Sequence, residues 1–454
     1  MPAPPAPQRD ARIERLLSAP IAATVLRLAA PGIVLVAFQS AVSITDAFFV
    51  GRLGTAPLAG LSLVFPLLML LQMMSAGAMG GGVASAIARA LGAGNEKAAR
   101  SLTVHAIIIG LIFGLAFSLC LLAAGPGIYR LLGGKDTVLG EALAYSNILF
   151  SGAVLVWLAN TLASILRGSG NMIVPAVALA AATLLHIPIS GFLVLGGGPF
   201  PAIGIAGAGV AYLVNFGFAS IAMLAYLLRP GSRLRPTRQD LQLNMRMFWE
   251  ILRVGAISSV NTMLTVLTAV LLTGIVGTFG TAALAGYGVG VRLELMQVPL
   301  VFAIGQALVA HIGTNIGAGQ VDRAKRIAWT GASIAACVGI AIGAFVSLFP
   351  LAWAGMFSTD PAVLEACSQY LTKVAPCYPF LAIGVALYFA SQGAGRMGMP
   401  LLAGIFRLLI ASLGGFAAIR AGAAVSAVFL VIGLAMFVYG AFTAWAVLRA
   451  DWSR

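Results

Sequence analysis

The sequence predicts an all-α polytopic membrane protein with twelve transmembrane helices in two parallel six-helix repeats. Of its 454 residues, 60% are hydrophobic and only 9% are charged, and apolar stretches long enough to span a bilayer recur along the whole chain. Soluble globular domains carry about 25% charged residues, and a membrane-spanning helix needs about 20 consecutive apolar residues. A soluble enzyme is therefore not expected.

Apolar runs separated by polar or Gly/Pro-rich breaks define the twelve predicted spans. In order, they cover residues 22–50, 56–88, 101–124, 138–166, 173–196, 203–228, 249–276, 283–312, 326–349, 362–392, 399–420 and 422–448. The predicted domains are a cytoplasmic tail (1–21), an N-lobe (22–228), a basic cytoplasmic linker (229–248), a C-lobe (249–448) and a C-terminal tail (449–454).

The basic residues predict the orientation of these spans. The chain has 27 Lys and Arg against 13 Asp and Glu, and Lys and Arg collect on cytoplasmic segments of membrane proteins. With both termini and the linker in the cytoplasm, all but six of the basic residues lie on or beside cytoplasmic segments. The exceptions are Arg52, Arg130, Lys135, Arg292, Lys373 and Arg420. Because the basic residues are not interleaved with aromatic side chains, we expect no nucleic-acid partner.

Three glycine-containing motifs recur at a nearly constant offset. GTAPLAG at 54–60 matches GTAALAG at 280–286, 226 residues later; GAG recurs at 92–94 and 317–319, and G-x-G at 168–170 and 393–395, each 225 residues apart. The chain is therefore predicted to be a duplication of a six-helix unit. Since six is even, both copies have the same orientation, which is one of the repeat architectures of membrane transporters.

These motifs also resemble those of the MATE (multidrug and toxic compound extrusion) family. DAFFVGRLG at 46–54 resembles the end of that family's first helix, and LGAGNEKAAR at 91–100 and NIGAGQVDRA at 315–324 resemble its paired cytoplasmic loops. LRGSGN at 166–171 is similar to the exit of its fourth helix. The resemblance spans roughly residues 22–448.

The resemblance implies a V-shaped pair of lobes that work by alternating access in a bacterial inner membrane. A proton or a sodium ion enters while a cationic or amphipathic organic compound leaves. The expected partners are such small molecules and the lipid bilayer, and the expected state is a monomer. No cofactor or metal site is expected beyond the coupling proton or sodium ion, because the four cysteines lack metal-ligand spacing.

Asp46 is the leading candidate for the coupling residue. A charge inside a bilayer costs at least about 2.5–3.5 kcal/mol, so an intramembrane carboxylate points to function. Asp46 shares a helix face with Gln39 and Ser43, and Pro31 is expected to bend this helix because it removes a backbone hydrogen bond. In the resembling family the matching aspartate is the proton or cation site. The alternative is that Asp46 anchors the helix end at the membrane interface.

At three positions the sequence differs from the patterns of the resembling family. Thr265 stands where the NorM-like branch carries a glutamate, and His186 and Ser190 stand where DinF-like members carry Asn and Asp; the chain looks closer to the DinF-like branch. A lone carboxylate makes a thin sodium site, and histidine titrates near neutral pH, so we favour proton over sodium coupling. A hydrogen-bonded packing histidine is the alternative for His186.

Further polar residues are candidates for a substrate cavity or a second charged site. The cavity candidates on helices 4 and 6 are Asn160, Ser164, Tyr212 and Asn215. The other cavity candidates are Gln39, Ser43, His186, Ser190 and Thr265. On helix 8, Arg292 and Glu294 are two positions apart and do not meet on a helix. We expect a structural ion pair within the second lobe, with a secondary cation site as the alternative.

Two rival functions share some of these features. A flippase for lipid-linked precursors of the same superfamily would line its cavity with several basic residues, whereas the predicted spans hold few such residues away from their ends, namely Arg292, Arg407 and Lys373. A membrane-embedded transferase would need clustered His and Asp residues, which the sequence lacks. We therefore predict a secondary active antiporter for multidrug efflux and not an enzyme.

Overall fold

The computed structural model describes residues 10–197 and 201–453, and within these ranges every regular element is a helix. Eleven helices are long and apolar enough to cross a membrane, and one bent pair of helices supplies a twelfth span. The predicted all-α membrane class and its twelve spans are thereby confirmed.

The first half of the chain begins with a short helix that the tail prediction did not include, α1 (Ala11–Ser18). The spans of this half consist of α2 (Ile21–Gly51), α3 (Thr55–Gln72) with a π-helical segment (Met73–Met79) and α4 (Gly80–Gly92), α5 (Glu96–Leu131), α6 (Asp136–Ser151) with α7 (Ala153–Gly168), α8 (Ile173–Leu195) and α9 (Ile205–Leu228).

The second half follows a short 3₁₀ helix (Arg238–Leu241) in the linker. Its helices are α10 (Met245–Gly277), α11 (Thr281–Gly317), α12 (Val321–Leu348), α13 (Pro350–Ala354), α14 (Pro361–Val374), a 3₁₀ turn (Ala375–Cys377), α15 (Tyr378–Ala394), α16 (Gly398–Arg420) and α17 (Val425–Arg449).

The fourth predicted span is broken rather than continuous. Helices α6 and α7 meet at Gly152 with a bend of 49°. A Cβ atom on Gly152 would lie 2.4 Å from Cδ2 of Leu213, so glycine lets the break approach α9 closely. An apolar run alone does not reveal such a bend, because hydropathy does not show where a span changes direction.

The repeated glycines of the sequence share an unusual backbone conformation. Gly54 and Gly280 have φ of 127° and 105°, Gly94 and Gly319 have 74° and 77°, and Gly170 and Gly395 have 79° and 73°. Residues with a side chain rarely adopt positive φ. The two halves therefore repeat the same turns, as the motif offsets predict.

The described residues form two compact units by their internal contacts. Unit 1 comprises residues up to 13 and 30–255, and unit 2 comprises 14–29 and 256 onward. The units follow the two repeats except that the first turns of α2 and α10 belong to the other unit. The unit boundaries within α2 and α10 are 226 residues apart, which is the offset of the sequence repeat. The same division of the first helix therefore occurs in both repeats.

Each unit contains the same close helix contact. A Cβ atom on Gly168 would lie 2.7 Å from the carbonyl oxygen of Ala84, and a Cβ atom on Gly393 would lie 2.8 Å from that of Val309. Both residues of the second pair follow those of the first by 225 positions. Helix α7 therefore packs on α4, and α15 on the end of α11, with almost no space between their backbones.

The linker is attached to unit 1 by a buried carboxylate. Asp240 is 3% exposed, and its Oδ2 accepts hydrogen bonds from the N–H and the hydroxyl of Thr237, at 2.9 and 2.6 Å. The same oxygen lies 3.2 Å from Nε of Arg100 on α5. These bonds hold the 3₁₀ helix of the linker against α5.

Candidate functional site

Helices α2 and α8 bring three predicted site residues together inside unit 1. Nε2 of His186 lies 2.9 Å from Oδ1 of Asp46, and the hydroxyl of Ser190 donates to the same oxygen at 2.7 Å. His186 and Ser190 are four positions apart and so share one face of α8. Asp46 is 4% exposed, and His186 and Ser190 are fully buried.

This cluster holds a carboxylate away from water with two donors on one oxygen. The Nδ1 atom of His186 is buried and has no hydrogen-bond partner among the residues described. The imidazole therefore fits the form that carries its proton on Nε2, which donates to Asp46. With Asp46 ionised and His186 neutral, the pair carries one negative charge, and one added proton brings the charge to zero.

The polar stripe predicted on α2 does not surround Asp46. Gln39 and Ser43 are both exposed, whereas Asp46 turns into unit 1 and pairs with α8. Pro31 lies inside α2, which continues without interruption from Ile21 to Gly51. Pro31 lies two residues after Ala29, the last residue of α2 that belongs to unit 2.

A second polar network in unit 1 connects α3, the π-helical segment, α7 and α9. The side-chain N–H of Asn160 donates to Oε1 of Gln72 at 3.0 Å and to Oγ of Ser75 at 2.8 Å. Gln72 in turn donates to the hydroxyl of Tyr212 at 2.6 Å. π-Helical turns inside α-helices occur frequently at functional sites. The network thus gathers two of the predicted cavity residues, Asn160 and Tyr212.

The remaining cavity candidates are not part of that network. The hydroxyl of Ser164 bonds the carbonyl oxygen of Asn160 on its own helix at 2.7 Å. Oδ1 of Asn215 is buried and has no partner within the described part of the chain. In unit 2, the hydroxyl of Thr265 bonds the carbonyl oxygen of Asn261 one turn earlier at 3.0 Å, as is common for threonine in apolar helices.

Unit 2 contains a different carboxylate cluster. Glu294 is partly buried and accepts a hydrogen bond from the hydroxyl of Tyr370. The ring of Tyr370 packs edge-on against Tyr287 and Phe429. Arg292 instead lies over the ring of Phe357, 5.2 Å from its centroid. Arg292 and Glu294 therefore do not pair with each other, in agreement with their spacing on the helix, and within the described ranges neither forms the structural ion pair that we expected in the second lobe.

Sequence reasoning did not single out Gln72, Ser75 or Tyr370. Gln72 is a lone amide at the end of the apolar run 63–71, and an intramembrane amide is a usable signal. Tyr370 carries no comparable signal, because a tyrosine in an amphipathic stretch is equally consistent with plain packing.

Both repeats of the chain match one protein-family model. The MatE family model matches residues 31–191 and 258–417. The two matched ranges together cover well over half of the chain, one in each repeat. The resemblance noted from the motifs at 46–54, 91–100 and 166–171 is thereby confirmed.

Individual relatives cover most of their own length and most of this chain. A FAD transporter of Shewanella oneidensis is 28% identical over 83% of this chain and 82% of its own. Multidrug export protein MepA of Staphylococcus saprophyticus is 26% identical over 80% of each chain.

Solved structures agree with the fold. A MOP superfamily transporter from Pyrococcus furiosus superposes with a TM-score of 0.88, at 23% identity, over 98% of this chain and 100% of its own. An outward-facing MATE transporter of the MOP superfamily gives a TM-score of 0.88, at 24% identity, over 97% and 98%. With its two matched repeats, twelve spans and this fold, the chain belongs to the MatE family of membrane transporters.

Proposed function

We propose that this protein is a proton-coupled antiporter that exports cationic or amphipathic organic compounds by alternating access, with Asp46 as its coupling carboxylate. The observation that carries the proposal is the buried contact of Asp46 with His186 and Ser190. A carboxylate in an apolar helix carries a large desolvation cost, so its presence there points to a function. Here it contacts a histidine, the type of side chain whose charge changes most readily near neutral pH.

Exchange follows from the charge of this cluster. A proton taken up by the pair cancels its single negative charge, and an organic cation near Asp46 would cancel it as well. The two therefore compete for one site, so that uptake of a proton favours release of the cation. Protonation of Asp46 would also weaken the hydrogen bonds that Oδ1 accepts from His186 and Ser190 on α8. The charge of Asp46 would thereby affect how α2 packs on α8.

The donor set supports a proton rather than a sodium ion. Both bonds to Oδ1 of Asp46 come from groups that donate hydrogen, the imidazole of His186 and the hydroxyl of Ser190. Hard cations need several oxygen ligands around them. Asn160, a buried amide of unit 1, directs its N–H groups to Gln72 and Ser75 and belongs to a separate network.

The relatives support an organic substrate but name two kinds. MepA is a multidrug export protein, and the Shewanella relative is a FAD transporter. A flavin nucleotide is an anion, whereas the buried charge at Asp46 is negative and suits a cation. We therefore rank organic cations first and flavin nucleotides second, with lipid-linked precursors third. The span arginines Arg292 and Arg407 each lie over an aromatic ring, Phe357 and Tyr439, and are not gathered as a pyrophosphate site.

The test is transport by the purified protein in proteoliposomes. Ethidium movement is measured under a pH gradient alone and under a sodium gradient alone, and FAD movement is measured in parallel. We expect ethidium transport driven by the pH gradient and abolished in Asp46→Asn. Asp322→Asn serves as the matched control, because Asp322 is an exposed carboxylate in the first turn of α12.

Two results would contradict the proposal. Transport driven only by sodium would overturn the coupling ion, and gradient-driven transport that persists in a folded Asp46→Asn protein would overturn the role of Asp46. Transport of FAD without ethidium would replace the substrate class and leave the test of coupling in place.

A further inference from the structure

Unit 2 has a cleft of about 260 Å³ where α15 and α17 end and α16 begins. Cavities that enclose drug-sized ligands are larger, about 300–1,000 Å³, so this cleft suits a small group. The residues lining it that matter here are Arg396, Met399, Pro400, Ala446, Asp451 and Trp452. The cleft lies at the membrane boundary of its helices, at the end that the basic residues predict to be cytoplasmic.

The corresponding place in unit 1 is closed by a side chain. Asn171 precedes α8, and its side-chain N–H donates to the hydroxyl of Tyr226, near the end of α9, at 3.0 Å. Arg396 follows Asn171 by 225 positions, the offset of the surrounding glycines. The tyrosine thus fills the gap between the two helices in unit 1.

Ala446 of α17 stands at the register of Tyr226. The pattern of buried residues along α9 recurs in α17 at an offset of 220, so that Ala208, Tyr212, Phe216 and Met223 correspond to Val428, Ile432, Met436 and Thr443, all of them buried. At this offset Tyr226 corresponds to Ala446. Replacement of the large ring by a methyl group explains why the same place in unit 2 is open.

The open cleft carries groups suited to a ligand with charges of both signs. Arg396 is exposed, and its guanidinium has no hydrogen-bond or ion-pair partner among residues 10–197 and 201–453. The indole N–H of Trp452 is buried without a partner within the same ranges, although Trp452 is only 3% exposed. Asp451 adds a carboxylate, whose Oδ1 accepts hydrogen bonds from Ser453.

We propose that this cleft binds the headgroup of phosphatidylethanolamine from the surrounding membrane. Arg396 binds the phosphate, the indole N–H of Trp452 donates to a phosphate or ester oxygen, and Asp451 accepts from the primary ammonium group. Met399, Pro400 and Ala446 provide the apolar wall along which the glycerol and the start of the acyl chains lie. Pockets with basic residues at the ends of transmembrane helices commonly recognise lipid headgroups, and tryptophan is enriched at that level of the bilayer.

The charges of the cleft decide among lipid classes. Phosphatidylglycerol has no ammonium group for Asp451, and the negative carboxylate disfavours a purely anionic headgroup. Phosphatidylcholine has a trimethylammonium group that donates no hydrogen bond. A lipid with both a phosphate and a primary amine satisfies the Arg396 guanidinium and the Asp451 carboxylate together.

The test measures lipid binding by native mass spectrometry of the full-length protein purified in detergent and stripped of lipid. Phosphatidylethanolamine, phosphatidylcholine and phosphatidylglycerol with identical acyl chains are titrated separately. Loss of one charge-assisted bond corresponds to about tenfold in affinity. We expect phosphatidylethanolamine to bind about tenfold more tightly than the other two, and Arg396→Asn and Ala446→Tyr each to weaken it by about tenfold or more.

The two variants copy the closed place of unit 1, so each introduces a residue that the repeat already accommodates. Arg420→Asn is the matched control, because Arg420 is an exposed arginine at the opposite end of α16 and should leave binding unchanged. Asp451→Asn should remove the preference for phosphatidylethanolamine over phosphatidylglycerol. Should Ala446→Tyr fail to fold, Arg396→Asn at the exposed rim decides the question.

Three outcomes would overturn the proposal. The first is unchanged phosphatidylethanolamine binding in a folded Arg396→Asn protein, and the second is equal binding of all three lipids. The third is displacement of the lipid by glycerophosphoethanolamine at equal concentration, which would assign the cleft to a soluble headgroup compound. None of these measurements depends on transport, so the result stands apart from the role of Asp46.

Discussion

Nε2 of His186 lies 2.9 Å from Oδ1 of Asp46, although the two residues are 140 positions apart in the chain. The contact joins the first and the fifth membrane span of one unit. It also gives a carboxylate in an apolar environment the donor that makes its burial tolerable, because an unpaired buried charge is strongly destabilising.

The first prediction separates the hydrogen bond that His186 donates from the second ring nitrogen, which could hold a further proton. His186→Gln retains a side-chain N–H near Asp46 but cannot take up a proton, so the variant should fold normally while the pH profile of its ethidium transport changes from that of the original protein. His186→Ala removes the donor as well and should lower the free energy of unfolding by about 1.5–3 kcal/mol, as for a hydrogen bond to a charged group.

Initial rates in proteoliposomes between pH 5.5 and 8 (about the range in which histidine titrates) and thermal unfolding in detergent measure these two effects. Ser190→Ala is the control, since it removes the other donor to Oδ1 and leaves the imidazole in place. An unchanged pH profile in His186→Gln would show that His186 only packs and orients Asp46.

The second prediction concerns the carboxylate of unit 2. Glu294 accepts from the hydroxyl of Tyr370, whose ring is buried among Tyr287 and Phe429, and this arrangement favours a structural role. Glu294→Gln should therefore lower the melting temperature but retain most of the transport driven by a pH gradient. Tyr370→Phe removes the hydroxyl that donates this bond and should destabilise by about 1.5–3 kcal/mol, more than Glu294→Gln, whose amide oxygen can still accept it.

The same proteoliposome assay distinguishes the alternative for Glu294. If Glu294→Gln is stable and abolishes transport as Asp46→Asn does, the residue belongs to a second coupling site.

The third prediction follows from the linker. Burial raises the pKa of the Asp240 carboxyl, but the hydrogen bonds from Thr237 and the charge of Arg100 lower it by more, so the pKa lies below its ordinary value of 3.8. A carboxyl whose pKa is depressed by folding stabilises the folded state above its unfolded pKa and loses this contribution as the pH falls through the folded value. Asp240→Asn should thus destabilise the protein at neutral pH by about 1–2 kcal/mol.

Thermal unfolding at a series of pH values provides the measurement. The difference between the original protein and Asp240→Asn should be constant above about pH 5 and should shrink below about pH 4, where the carboxyl of the unfolded chain becomes protonated before that of the folded protein. A difference that stays the same down to pH 3 (about one unit below the unfolded pKa of an aspartate) would mean that shape, and not charge, holds the linker on α5.

The fourth prediction uses the repeated helix contact. Gly168→Ala places a methyl group 2.7 Å from the carbonyl oxygen of Ala84, and Gly393→Ala places one 2.8 Å from that of Val309. Backbone atoms cannot rotate away, so each substitution should cost about 1–3 kcal/mol. Folded yield and thermal unfolding measure the loss.

Gly140 and Gly274 are the matched helical controls, because a Cβ atom on either meets no neighbouring atom within 4 Å. Alanine at these two positions should be neutral or stabilise by up to about 1 kcal/mol. Equal effects at all four glycines would argue against tight backbone packing as the reason for Gly168 and Gly393.

Local patterns in the sequence were sufficient to predict the fold class, the twelve spans and the repeat, and to select Asp46 as the leading intramembrane carboxylate. Hydropathy is a property of consecutive residues, and positive-φ glycines such as Gly54 and Gly280 serve turns that are local as well. The break at Gly152 was missed because it depends on the approach of Leu213 from another helix.

The partners of the buried polar groups depended on tertiary structure. The sequence placed Gln39 and Ser43 with Asp46 because they share its helix face, but in the folded chain the partners come from α8, where His186 and Ser190 reach the carboxylate. Tyr370 as the partner of Glu294, and the cleft left by Ala446 where unit 1 has Tyr226, likewise arise only when helices pack. Whether a helix spans the membrane depends on its own consecutive residues. Which side chains come into contact depends on how helices distant in sequence are oriented toward one another.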